Sequence, residues 1–199
     1  MTDPDLRVRV LVADDHARYR QGIEVVLSLD DSINVVGLAS DGQDAVDRCA
    51  YVAPDVILMD VRMPGLGGID ATQIVTARHP QVKVVMLSMS DDENDLYAAL
   101  LAGAIGYVLK DRPAEVIAAA VHSAHRGEPI LTPGVAARAL SALGLGSPAL
   151  SHDEHEAMAR LARGQSLAEA AARMDMTTAD AATLIVTALS RLRRTPLDG

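Results

Sequence analysis

The chain has 199 residues, a formal net charge of −9, and no Phe or Trp among its 49% hydrophobic residues, so its core must be built from Val, Leu, Ile, Ala and Met. That balance argues against a surface that coats nucleic acid indiscriminately, and no run of about 18 apolar residues exists to span a membrane. The lone Cys49 cannot form an internal disulfide, which fits a reducing cytoplasm, and the acidic N-terminus lacks the apolar segment of a signal peptide. The length allows one large or two small domains.

In chain order, the apolar run at 8–13 reads as a strand, followed by a helix from Ala17 to Leu29 with Ile23, Val26 and Leu27 on one side. Asp30-Asp31-Ser32 breaks that helix, and Ile33 to Ala39 reads as the second strand. Asp41-Gly42 turns into a helix bearing Ala45, Val46 and Cys49, which Pro54-Asp55 stops. Val56-Ile57-Leu58-Met59 has the unbroken apolar character of a strand buried on both faces. A third helix spans Gly68 to Arg78, and the fourth strand spans Lys83 to Leu87. The acidic start Asp91-Asp92-Glu93 suits the positive end of a helix continuing to Ala102. Tyr107 to Leu109 reads as the fifth strand, and Pro113 opens a fifth helix ending near Arg126-Gly127. Strict alternation of strands and helices predicts an α/β fold, a five-stranded doubly wound parallel sheet over 6–127.

What the strands end in matters more than the strands. The first runs into Asp14-Asp15, the third into Asp60, the fourth into Ser88 and the fifth, beginning at Tyr107, into Lys110. In open α/β sheets, chemistry sits just outside the carboxyl ends of the strands. These residues, with Met63-Pro64-Gly65 after Asp60, closely resemble the flavodoxin-like receiver domain of two-component response regulators. The resemblance implies that Asp60 is phosphorylated by a sensor histidine kinase. It implies a Mg²⁺ ion held by Asp15, Asp60 and the backbone carbonyl of Arg62, with Asp14 acting mostly through water. It also implies that Lys110 binds the phosphoryl group while Ser88 and Tyr107 form a switch. Hard oxygen donors suit Mg²⁺. Two enzyme readings fit poorly. An aspartate-nucleophile phosphatase would want an acid where Arg62 stands, and a Schiff-base lysine would want a less acidic neighbourhood than Lys110 has. The protein reads as a switch rather than a metabolic catalyst.

From Gly127 to Leu150 the composition shifts to Gly, Pro, Ala and Ser, which marks 128–149 as a linker with a short helix from Thr132-Pro133 and a break at Gly144 to Pro148. Three helical patterns follow at Ser151–Arg163, Ser166–Met174 and Thr177–Arg194, each with a hydroxyl cap and an acid three residues on. Leu150 to Glu156 and Ala162 to Ser166 resemble the LuxR-type helix-turn-helix, making 150–199 a small all-α domain and the whole similar to the NarL/LuxR class. The departures concentrate where such domains meet DNA. Ala179, Ala181, Ala182, Thr183 and Leu184 fill the entry turns of the third helix, where none offers a bidentate base contact. Residues 151–199 hold six arginines against seven acids. Of these, Arg191, Arg193 and Arg194 are candidates for phosphate contacts, which position without specifying sequence. Two readings stand: a phosphorylation-gated transcription regulator, dimeric when phosphorylated, that binds DNA weakly or nonspecifically through this domain alone, or a phosphorylation-gated interaction protein whose degenerate helix-turn-helix no longer reads DNA. An RNA-binding tail lacks the basic stripe and aromatic platform it would need.

Overall fold

The computed structural model describes residues 7–90, 92–143 and 150–192. Five strands, β1 (Val8–Ala13), β2 (Ile33–Ala39), β3 (Val56–Asp60), β4 (Lys83–Ser88) and β5 (Gly106–Leu109), form one parallel sheet in the order β2-β1-β3-β4-β5. Every residue of β3 is buried, because β3 is the central strand and both sheet faces are covered. Period-two alternation sorts the strand side chains between those faces. Leu11, Ala13, Ile57 and Met59 enter a cluster with α2 (Gly42–Val52) and α3 (Gly68–Arg78). Val10, Val12, Val56 and Leu58 enter another with α1 (Ala17–Leu27) and α5 (Ala114–His125).

Local signals set the helix ends. Asp41 accepts from the Asp44 amide at 2.8 Å and so caps α2. That helix ends at Ala53, which adopts a left-handed conformation at φ 41° one residue before Pro54. Helix α4 (Glu93–Ala102) is capped by Asp92, whose carboxylate accepts from Asn94 N at 2.8 Å; Asp91 lies outside the described residues. Helix α1 stops at Leu27, two residues short of the expected end, and Pro113 is the cap of α5 rather than its first turn. His122 on α5 reaches Asp30 at 2.8 Å and ties that helix to the turn after α1.

Beyond the sheet come α6 (Pro133–Ala142), α7 (His152–Ala162), α8 (Leu167–Arg173) and α9 (Thr178–Leu192). Ser151 with Glu154 and Ser166 with Glu169 form complete capping boxes. Helix α6 is not an isolated linker element. Its Val135, Ala136, Ala139 and Leu140 are buried in a third cluster with Ala157, Met158 and Leu161 of α7 and Ile185, Ala188, Leu189 and Leu192 of α9. Leu96, Tyr97 and Leu100 of α4 join the same cluster, so the sheet-bearing unit and the C-terminal helices share a core. Arg138 of α6 reinforces the joint by lying 4.4 Å over the Tyr97 ring and donating to Asn94 Oδ1 at 2.9 Å. Among the described residues, no helix is long and apolar enough to cross a membrane.

Candidate functional site

The strand order reverses direction between β1 and β3, and the carboxyl ends of these two strands carry Asp14, Asp15 and Asp60. Such a switch point opens a crevice where ligands bind. Asp14 is fully buried and Asp60 is 5% exposed, whereas Asp15 lies at the surface. Lys110, next after β5, sends its ammonium between the two buried carboxylates, 2.5 Å from Asp14 Oδ2 and 2.8 Å from Asp60 Oδ2, with its side chain only 5% exposed. Burial pushes the Asp60 carboxyl above the usual carboxylate range, and Lys110 partly offsets that rise. Two buried negative charges and one positive charge leave the pocket short of cations, a setting that attracts a further one.

The donors present fit a hard cation. One ligand atom each from Asp14, Asp15, His16 and Asp60 lie within 4.8 Å of one another, and three of the four are carboxylate oxygens. At Arg62 the amide faces Asp60 Oδ1 at 3.4 Å, and the guanidinium turns away to Asp95 at 3.1 Å. Ser88 is buried, and its hydroxyl accepts from Ser90 N at 3.1 Å. Tyr107 is half-buried and its hydroxyl donates to the Ser90 carbonyl, so the serine loop links Ser88 to Tyr107.

Gly68 holds the geometry of the acceptor strand. A Cβ at this position would lie 1.7 Å from the Asp60 carbonyl oxygen, a clash with backbone that no rotamer relieves. Gly68→Ala should therefore cost about 3 kcal/mol, read as a lowered urea midpoint at unchanged slope.

Two neighbours escaped the sequence reading. His16 donates its backbone amide to Asp14 Oδ1 at 2.8 Å and places Nδ1 2.6 Å from Asp15 Oδ1; its place beside Asp-Asp was the available signal. Tyr19, one helical turn after Asp15, puts its ring under Lys110, 4.8 Å from ammonium to centroid. Burial and the charges of Asp14 and Asp60 push the Tyr19 hydroxyl up to about 12.

The C-terminal candidates fare differently. Ala181 and Ala182 are buried in the helical core rather than turned outward, and Leu184 is half-buried against the same cluster. Period 3.6 explains this: residues 181, 182, 185, 188 and 189 share the inward face of α9. The outward face carries Ala179, Asp180, Thr183 and Thr187, and both threonines donate to their own helix, Thr183 Oγ1 to Ala179 O at 2.9 Å and Thr187 Oγ1 to Thr183 O at 2.8 Å. Arg191 pairs with the nearly buried Glu154 at 3.1 Å, which explains its presence without DNA. Arg193 and Arg194 lie outside the described residues.

The response regulator receiver domain family matches residues 10–122. The transcriptional regulatory protein LiaR of Bacillus subtilis is 36% identical over 191 residues, covering 93% of this chain and 90% of LiaR. The receiver domain of NarL from Mycobacterium tuberculosis superposes with a TM-score of 0.60 at 39% identity, over 61% of this chain and 98% of that one. The response regulator ChrA of a heme-sensing two-component system matches with a TM-score of 0.56 at 32% identity, over 95% of this chain and 98% of ChrA. A receiver family match over more than half the chain, with similarity to LiaR and ChrA running through the C-terminal helices, leaves one assignment: the chain belongs to the NarL/LuxR class of two-component response regulators.

Proposed function

We propose that this protein accepts a phosphoryl group on Asp60 from a sensor histidine kinase and thereby controls transcription. The receiver is taken as 6–127, α6 with its flanks as 128–149, and the output domain as 150–199. The observation that carries the reading is the Lys110 ammonium set between Asp14 and Asp60 at the sheet's switch point. In the transfer, an Asp60 carboxylate oxygen forms the new P–O bond as the P–N bond of the donor phosphohistidine breaks. Lys110 then shifts its ion pairing from Asp60 to the phosphoryl oxygens. Asp15, Asp60 and the Arg62 carbonyl would hold Mg²⁺, with Asp14 acting through water. When bound, Mg²⁺ screens the repulsion between phosphoryl oxygens and carboxylates. Ser88 would supply the hydroxyl that meets the new group, and its link to Tyr107 through the serine loop would carry the change to α4.

Similarity to LiaR over nearly its whole length favours transcriptional control over an interaction-only role. The outward face of α9 offers little to read bases with, which supports DNA contact by a single domain that is weak and nonspecific, with dimerisation on phosphorylation supplying the second half. Val25 and Leu29, exposed on and just beyond α1, offer an apolar surface for self-association. Acetyl phosphate with Mg²⁺ should add one phosphoryl group per chain by intact mass, and none to Asp60→Asn. A labelled Asp60→Asn protein would sink the assignment.

A further inference from the structure

We propose that Tyr19 is a positioning residue for Lys110: its ring face closes the third side of the ammonium's seat and keeps the charge between Asp14 and Asp60. The inference rests on the proposed role of Lys110 in receiving the phosphoryl group. A lysine has four rotatable carbons and three donors, so two carboxylates on one side do not by themselves fix where its charge rests. The ammonium here is nearly buried, and besides the two carboxylates it meets the face of the Tyr19 ring, 4.8 Å from ammonium to centroid. An aromatic face is negative, so it attracts the cation without offering a fixed acceptor that would compete for its protons. The lysine therefore keeps its donors for oxygen ligands and stays on one side of the pocket. Tyr19 is held in turn by packing against the cluster beneath α1 and α5. Its hydroxyl is buried with no hydrogen-bond partner among the described residues, so in this state the ring, not the hydroxyl, makes the contact that the site uses.

The composition makes this directly measurable, because Lys83 and Lys110 are the only lysines. In ¹H–¹⁵N spectra tuned to ammonium groups, the sheltered Lys110 should give one slowly exchanging signal, assigned by its loss in Lys110→Arg, with ε-methylene protons shifted upfield by the ring. Measured on unphosphorylated, metal-free full-length protein, this readout stands whether or not Asp60 is the phosphoacceptor. Tyr19→Leu should abolish the upfield shift and broaden the ammonium signal, while Tyr19→Phe should keep both. Phosphorylation by acetyl phosphate should slow in Tyr19→Leu by roughly two- to thirty-fold, the range a cation–π contact is worth, and recover in Tyr19→Phe. Should Tyr19→Leu fail to fold, Tyr19→Met, flexible and without a ring, carries the same expectation. A Lys110 signal unchanged by loss of the ring would overturn the proposal, as would Tyr19→Phe behaving like Tyr19→Leu.

Discussion

Lys110→Ala should destabilise the protein by about 3–5 kcal/mol at neutral pH, the cost of leaving buried carboxylates without their partner. Asp14 is fully buried and Asp60 nearly so, so water does little to replace the lost ammonium. The deficit should depend on pH with a definite sign. Burial already raises the Asp60 carboxyl, and Lys110 is the main influence holding it down. Without Lys110 its folded-state value rises further above the unfolded one. The folded state then binds more protons than the unfolded state in that window, and stability falls as pH rises through it. The variant should lie closest to wild type in acid below the ordinary carboxylate range and show its full deficit at pH 7. Mg²⁺ should raise the variant's own stability by about 2.7 kcal/mol at a hundredfold excess over its dissociation constant. Its affinity should be no lower than in wild type, since a competing cation has gone, whereas Asp15→Ala should weaken it. Urea unfolding at two pH values, with and without Mg²⁺, reads all of this. A neutral-pH loss under 1 kcal/mol, or equal loss of metal affinity in both variants, would contradict the separate roles of Lys110 and Asp15.

The strands and their polar ends were legible because a buried parallel strand announces itself as an apolar run and because the residue that ends it needs no partner to be recognised. Asp14, Asp60, Ser88 and Lys110 meet because the sheet aligns the ends of β1, β3, β4 and β5, so alternation of elements was enough to bring them together. Tyr19 was not legible, since a tyrosine in the first turn of a helix looks like any half-buried aromatic until Lys110 arrives from 91 positions away. The third helix of the output domain failed for a different reason. An alanine-rich stretch carries little periodic contrast, so Ala181 and Ala182 could be placed on the reading face when they belong to the core. The ion pair of Arg191 with Glu154 was not legible either, because the spacing from Ser151 already assigns Glu154 to capping α7.

Because the two units share a core, a fragment spanning 150–199 should not fold cooperatively on its own. Within the third cluster, α7 and α9 bury their apolar faces against Val135, Ala136, Ala139 and Leu140 of α6 and against Leu96, Tyr97 and Leu100 of α4. The fragment lacks all of these, and at about 50 residues it falls near the size where a single core is marginal even when complete. Removing partners from both Met158 and Leu189, fully or almost fully buried in the whole chain, leaves large side chains facing water. Circular dichroism of 150–199 should show weak helicity and no sigmoidal thermal transition. A fragment beginning at 128 should regain helicity by restoring α6, and the full chain should unfold in one transition rather than two, because α4 belongs to both units. The reciprocal fragment, 1–127, should bare Leu96, Tyr97 and Leu100 and self-associate in proportion to concentration, since an exposed apolar patch of that kind seeks a partner. Cooperative melting of 150–199 near the midpoint of the full chain would show that the contacts with α4 and α6 are incidental, and that the output domain is a separate body carried on a tether.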